Sequence, residues 1–572
     1  MARPRSEAWA VAAVMLAATL PYLNAFHAGF VFDDGPVIRD NPLVTGPFDT
    51  WNILAAPLYP GNLYRPLTLL SYALNEQLTP GAAAAFHTVN IILHVAVTAL
   101  VFVLGILFVR NRTVAFIAAV LFAVHPIHTE AVTSIVGRAE VLVALFGLIT
   151  LCATLRSQDR KQSGWDAVAL LAFTAALFSK ESAVTILPLI PLCRAARRGG
   201  SLWPALAREL RSGQWIPFAA AVGLFLITRT YVVGSLTLPT RPIPLDNVLA
   251  HVPALVRIRT ACGVLADYAG MLVLPLVLSA DYSWRQVVPA ETWLDPSVLA
   301  GVGVLLMTAI GFLALAPRKP VTSVIAAFPL VTLALTANLL FPIGTVKAER
   351  LLYLPSVGCA LGIALLAYRT ASGWSARRGR ALLAAALVAF AARTWIRNRD
   401  WFDSMTLFQA TVAAAPASSK AHHNLAVAFE KMGDLDTAAL HYRESLRLWE
   451  DYEDSAFGLG LIYEKKGVAP GAIDWYRKAV TIAPEYKSAN TNLCRLLLHE
   501  HDFAAAETAC RRGLRFAPTD PNLLKGLGGA LLGQGDHERG LGVLQRSLAH
   551  DPSDAELRAL VTRLEREGAP PS

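Results

Sequence analysis

The chain has 572 residues, 54% hydrophobic and 16% charged, against about 25% charged in an ordinary soluble domain. Residues 1–399 hold 32 Lys and Arg against 18 Asp and Glu, a net of +14, while residues 400–572 hold 19 against 24, a net of −5. These figures exclude a single soluble enzyme and imply a membrane part followed by a water-soluble part.

The basic excess lies in short clusters between apolar runs, where membrane topology places it, so it is no nucleic-acid patch. The six cysteines contain no CxxC pair, which leaves neither a zinc site nor a dense disulfide framework.

Residues 8–25 form the first apolar run, behind Arg3 and Arg5. The spacing predicts a retained helix rather than a cleaved signal, because no small-x-small site is convincing. Further runs follow near 86–109, 113–124, 141–155, 165–179, 182–193, 215–233, 255–279, 297–316, 321–341, 351–368 and 380–397. With about 20 apolar residues needed per crossing, they predict roughly eleven to thirteen spans.

The excess of Lys and Arg on the cytoplasmic side predicts that Arg110, Arg112, Arg156–Lys161, Arg194–Arg198, Arg318, Lys319 and Arg369–Arg380 lie inside. The loops 26–85, 125–140 and 342–350, and everything after 397, are then outside. A re-entrant or interfacial helix near 247–260 would reconcile 194–213 inside with 280–296 outside.

From residue 400 the apolar period becomes helical, with repeats of 34 residues beginning at 419, 453, 487 and 521. Leu425, Leu459, Leu493 and Leu527 share one position, and Ala426, Gly460, Cys494 and Gly528 the next. Tyr442, Tyr476, Cys510 and Leu544 recur on the second helix, and Pro484, Pro518 and Pro552 end it. This is the tetratricopeptide signature, a solenoid with a concave face for extended peptides. Cys494 and Cys510 face each other in one repeat, where small-residue packing and a disulfide are both open. The expected domains are a membrane domain 1–397, a connecting half-repeat 398–418, four repeats 419–554, and a capping helix and tail 555–572. The fold class is all-α: a polytopic helix bundle followed by the solenoid.

Ionisable residues at or beside membrane depth are costly and mark function. Those expected on the outer side are Asp33, Asp34, Arg65, His125, His128, Glu130, Arg138, Glu140, Lys180, Glu181, Asp281, Lys347, Glu349 and Arg350. Carboxylates with cations suit transfer of a sugar from a lipid-linked phosphate to a hydroxyl: an acid takes the hydroxyl proton, and cations stabilise the departing phosphate. Asp33 or Asp34 would be the base, and Arg350, Arg138, Lys180 or Lys347 would hold phosphate. Each has a plainer reading: the aspartates as the solvated end of a span, the histidines as helix-end packing, Lys180 and Glu181 as a buried ion pair, Lys347 and Arg350 as headgroup anchors. No metal-ligand spacing is present, so no cofactor is required, with a divalent cation left open.

Assembled, these residues resemble a known family, the transmembrane and tetratricopeptide-repeat-containing O-mannosyltransferases and their prokaryotic relatives. The matching words are Phe32-Asp33-Asp34 with Asn41-Pro42, Tyr64-Arg65-Pro66-Leu67, His87 to His94, His125-Pro126-Ile127-His128-Thr129-Glu130 through Gly137-Arg138-Ala139-Glu140, Ser179-Lys180-Glu181, Asp281-Tyr282, and Glu349-Arg350-Leu351-Leu352-Tyr353-Leu354-Pro355-Ser356. The resemblance implies a GT-C fold, a polyprenyl-phosphate sugar donor and catalysis by the acidic motif, here Asp33 and Asp34. It implies mannose transfer to Ser or Thr, with the repeats recruiting an extracytoplasmic protein. Arg65, His125, His128, Glu130, Glu181, Asp281, Glu349 and Tyr353 would support acceptor or structure. The Ala- and Arg-rich composition points to a prokaryotic inner or plasma membrane, where the acceptor is a secreted protein, a glycan or a lipid. The competing classes are a membrane-anchored scaffold for envelope assembly and a transporter of lipid-linked sugars, which would distribute its charges through the depth of the bundle.

Overall fold

A computed structural model describes residues 4–58, 63–160, 163–235, 242–370 and 374–567. Arg3, Lys161 and the tail beyond 567 lie outside the described residues. Among the described residues there is no strand, only an isolated bridge between Leu58 and Leu63. The chain divides into two compact units, residues 1–415 and 416–572.

Among the described residues of the first unit, six helices are long and apolar enough to cross a membrane: Ala8–His27, Ala83–Val109, Ile135–Arg160, Ile216–Val233, Pro296–Leu315 and Arg377–Asp400. Arg112–Val124 with Pro126–Val132, bent by 53°, makes a seventh if counted as one span. Gly164–Ser179 and Pro320–Leu333 are shorter apolar helices.

Several of the apolar runs behind the expected eleven to thirteen spans are broken or shortened, for readable reasons. The run at 182–193 is split into a 3-10 stretch Glu181–Ile186 and a helix Leu189–Arg197, around Pro188. The run at 255–279 is a helix Ala254–Val273 that carries Arg257, Arg259 and Asp267. The run at 321–341 stays helical only to Leu333, and that at 351–368 begins as a 3-10 turn before the helix Pro355–Thr370. Near 247–260 the chain makes a 3-10 turn Val248–Ala250 and enters Ala254–Val273 after Pro253.

Local sequence explains the tight joints. Arg110 turns back in the left-handed region (φ 58°), and Asn111 caps the next helix by accepting Val114 N–H at 3.1 Å. The two helices then approach so closely that a Cβ on Gly105 would lie 2.7 Å from Ala115.

The second unit is a helical array whose punctuation also recurs every 34 residues. Gly433, Gly467, His501 and Gly535 all take positive φ where the first helix of each repeat ends. Asp434, Asp502 and Asp536 then cap the second helix. A Cβ on Gly460 would sit 2.4 Å from the Tyr476 ring, and one on Gly528 the same distance from Leu544, so those positions must stay small. In the third repeat Cys494 and Cys510 are joined in a disulfide with Cα atoms 5.3 Å apart, which resolves the two readings left open above in favour of the bridge.

Candidate active site

The loop after the first membrane helix makes two unlike aspartates. Asp34 is fully buried; one carboxylate oxygen accepts Val31 N–H at 3.0 Å and the other accepts Val136 N–H at 3.1 Å. Burial pushes this carboxyl up to about 7, against the pull of the two N–H donors. Asp34 therefore ties its own loop to the loop at 133–137. Asp33 is half-buried, and among the described residues its carboxylate makes no hydrogen bond or ion pair.

Three ion pairs share one field, and the charge of Asp33 acts on one of them at Arg350. Arg65, at the N-cap of the helix Pro66–Leu78, grips Glu181 with two bonds, Nε to Oε2 at 3.0 Å and Nη2 to Oε1 at 2.6 Å. Lys180 is extended between two helical stretches, so its side chain and that of Glu181 diverge; its Nζ pairs with Glu140. Glu130 receives both the Arg350 backbone N–H at 2.8 Å and the Arg350 guanidinium.

Arg350 responds to Glu130, Asp33 and Glu140, and Arg65 responds to Glu181, Glu140 and Arg350, so the pairs are neighbours. Burial would lower the Arg350 pKa, yet those three acids outweigh it and hold it above the ordinary range. Burial would likewise raise Glu181, but Arg65 and Lys180 take it down to about 2. The Arg350 side chain is 30% exposed, and among the described residues its Nε and Nη2 make no hydrogen bond. The crevice thus presents one unmatched acid and one partly unmatched guanidinium.

Arg138, expected to hold phosphate, is placed otherwise. It is fully buried, stacked on Tyr72 and Phe86, and its donors go to Asn90 Oδ1, Ser71 O, Asn75 Oδ1 and Phe86 O. With its guanidinium edges taken by neutral acceptors, it holds helices together and offers nothing to a phosphate. Lys347 pairs with Asp267 at 2.8 Å and lies 4.2 Å over the Tyr282 ring. Glu349, fully buried, accepts from Tyr282 at 2.8 Å and faces Arg397 at 3.9 Å. Burial pushes its carboxyl up to about 7 against Arg397, with Glu130 adding to the rise.

Asp281 holds its own turn by accepting Ser283 N–H at 3.0 Å. His125 bonds Leu272 O at 3.0 Å, His128 bonds Ser356 Oγ at 2.8 Å, and the Tyr353 hydroxyl bonds His94 at 2.7 Å. Those contacts make the histidines and Tyr353 packing groups. No set of three His, Cys, Asp or Glu among the described residues is arranged to hold a metal ion.

The chain is similar to protein O-mannosyl-transferases. TMTC3 of Mus musculus is 28% identical over 549 residues, covering 87% of this chain and 59% of its own length. TMTC1 of Homo sapiens is 29% identical over 518 residues (80% and 57%), and F38B6.6 of Caenorhabditis elegans 27% over 451 residues (76% and 62%). The chain therefore spans about three fifths of the length of the curated relatives it matches. Family models described as tetratricopeptide repeat match residues 391–453, 423–487 and 497–564. Among solved structures, the crystal structure of MamA protein aligns with 27% of this chain and 83% of its own, at 16% identity and a TM-score of 0.24.

Sequence reading gave no role to three groups. Glu140 pairs with Lys180 and its charge acts on Arg65 and Arg350, and its signal was an acid inside an otherwise apolar helix start. Arg397 is buried against Glu349 and Asp400, and Asn398 is fully buried between the 3-10 stretch Leu20–His27 and Thr133. Arg397 ends the last apolar run, 380–397, and Asn398 opens the stretch expected to connect to the repeats.

Proposed function

We propose that the chain transfers mannose from a polyprenyl-phosphate donor to a Ser or Thr hydroxyl of extracytoplasmic proteins, with the repeats recruiting the acceptor. The carrying observation is Asp33: a half-buried, unbonded carboxylate next to an Arg350 that keeps donors unused. Asp33 takes the acceptor hydroxyl proton while the oxygen attacks the sugar C1. The bond from C1 to the phosphate oxygen breaks, and the phosphate leaves with the electron pair toward Arg350. Among the described acids of the crevice only Asp33 is without a hydrogen bond or ion pair, so a single displacement with inversion at C1 fits best.

Two features support the lipid-linked donor and the outer location. A cavity of about 470 Å³ is lined by Leu272, Val304, Ile325, Cys359 and Leu366, and by Tyr268, whose hydroxyl receives the Ala348 N–H two residues from Arg350. A prenyl chain suits such an apolar groove. The Cys494–Cys510 bridge suits an oxidising, extracytoplasmic compartment. A tether alone has no use for an unbonded acid beside a cluster of ion pairs.

Full-length protein, incubated with polyprenyl-phosphate mannose and a Thr-rich peptide, should add one hexose to the peptide by mass spectrometry. Unaltered peptide, with the donor shown to bind, would overturn the transferase reading.

A further inference from the structure

Asp33 sits between two ties. On one side Asp34 fixes the loop to Val136. On the other, Gly29 N–H donates to Phe402 O at 2.9 Å, and the Phe32 ring meets Phe408 edge-on with centroids 5.7 Å apart. Phe32 has φ 53°, a left-handed conformation that residues with a Cβ seldom adopt and that persists only where the surroundings hold it. Phe402 and Phe408 are those surroundings. Both belong to the stretch that the sequence assigns to the approach to the repeats, yet both lie in the first compact unit.

The same stretch touches the other loops of the crevice. Asn398 donates to Pro21 O at 2.7 Å and to Asn24 Oδ1 at 3.0 Å, and accepts the Thr133 hydroxyl at 2.8 Å. Thr133 is three residues from Glu130. Arg397 pairs with Asp400 at 2.8 Å and faces Glu349, the residue before Arg350. Loops that are far apart in sequence, carrying Asp33, Glu130 and Arg350, therefore rest on one short segment. Asn398, fully buried, has its side-chain hydrogen-bonding groups satisfied by two separate chain segments, the 3-10 stretch Leu20–His27 and the loop at Thr133, an arrangement that fixes their relative positions.

Resting on the transferase reading above, we propose that residues 397–408 are a positioning element of the active site, with Phe408 setting Asp33 through Phe32 and Arg397 setting Arg350 through Glu349. Neither residue is catalytic. A displacement of about 1 Å at a reacting group costs up to roughly 100-fold in rate, so small shifts of this segment are visible in kinetics.

The test uses the full chain, polyprenyl-phosphate mannose and a Thr-rich peptide. Phe408→Ala should lower kcat about 10- to 100-fold with the donor KM nearly unchanged. Arg397→Gln should instead raise the donor KM by about tenfold, and Arg397→Lys should recover part of it. Phe32→Ala with Phe408→Ala should be no slower than either alone, because they remove one interaction. Leu407→Ala, equally buried on the same helix, is the control. A kcat loss in Leu407→Ala equal to that in Phe408→Ala, or multiplicative effects in the double variant, overturns the proposal.

A second readout needs no turnover. In an Asp33→Cys chain, the rate of maleimide labelling at residue 33 should change about threefold or more on adding Phe408→Ala, or Phe408→Leu if the alanine does not fold, and should not change with Leu407→Ala. Identical labelling rates refute the positioning role even if the wild-type chain transfers nothing, and an inactive wild type with the expected labelling pattern contradicts only the transferase reading.

Discussion

Around Glu209 and around Asp33 the membrane unit buries charge in two different ways. Glu209 is 2% exposed, and both its oxygens are taken, Oε2 by Arg194 at 3.0 Å and Oε1 by Arg198. Arg194 also reaches Gln214 and Asp166, and Arg197 binds Asp159 at 2.9 Å. That knot is closed. Around Asp33 the acids Glu130, Glu140 and Glu181 are each matched by Arg350, Lys180 and Arg65, but Asp33 itself is not. Buried ion pairs are therefore poor markers of chemistry by themselves, since completed ones serve packing and specificity. What distinguishes the second knot is the group left over.

The largest effect that would sharpen this contrast is at the leftover acid. Asp33→Asn should lower transfer about 10²- to 10⁴-fold while the chain still folds, measured by initial rates and circular dichroism. Next, Arg350→Ala should cost about 10²- to 10³-fold, with Arg350→Lys intermediate because it loses the fork of donors. Glu209→Gln should leave the rate within about twofold yet lower stability by roughly 1–3 kcal/mol, because the buried Arg194 loses its closest carboxylate and keeps only Asp166 and Gln214. A rate loss in Glu209→Gln as large as in Asp33→Asn would erase the contrast between the two knots.

Smaller effects follow from matched groups and from the repeats. Removing the Cys494–Cys510 bridge, which spans 16 residues, should cost the repeat unit about 3 kcal/mol in thermal unfolding. Asp34 has a carboxyl raised in the folded chain, so its contribution to stability is full at low pH and is lost as pH rises toward about 7. The stability advantage of wild type over Asp34→Asn should therefore shrink between pH 4 and 7; an advantage that grows would contradict the protonated state.

Much of this was legible in the sequence, and the gaps have physical causes. The repeats were readable because a 34-residue period fixes cores, left-handed turns and caps alike, as Gly433, Gly467, His501 and Gly535 show. The residues of the crevice were nameable because charge is rare in apolar sequence. Their pairing was not, since Arg65 with Glu181 and Glu130 with Arg350 are joined 116 and 220 residues apart by tertiary packing alone. Asp33 and Asp34 looked equivalent because adjacent residues share composition but not direction. Arg138 misled because a guanidinium satisfied by amides and carbonyls reads in sequence like one awaiting an anion. The span boundaries were less legible because apolar length does not show where Pro188 or a 3-10 turn breaks a run.

Chemical rescue tests the base most directly. In the full chain carrying Asp33→Gly, added formate should restore transfer of mannose to the peptide in a concentration-dependent way, while formate leaves Arg350→Ala unchanged. Transfer by Asp33→Gly at the wild-type rate without formate, or no response to formate in a chain that still binds the donor, would show that Asp33 does not take the proton.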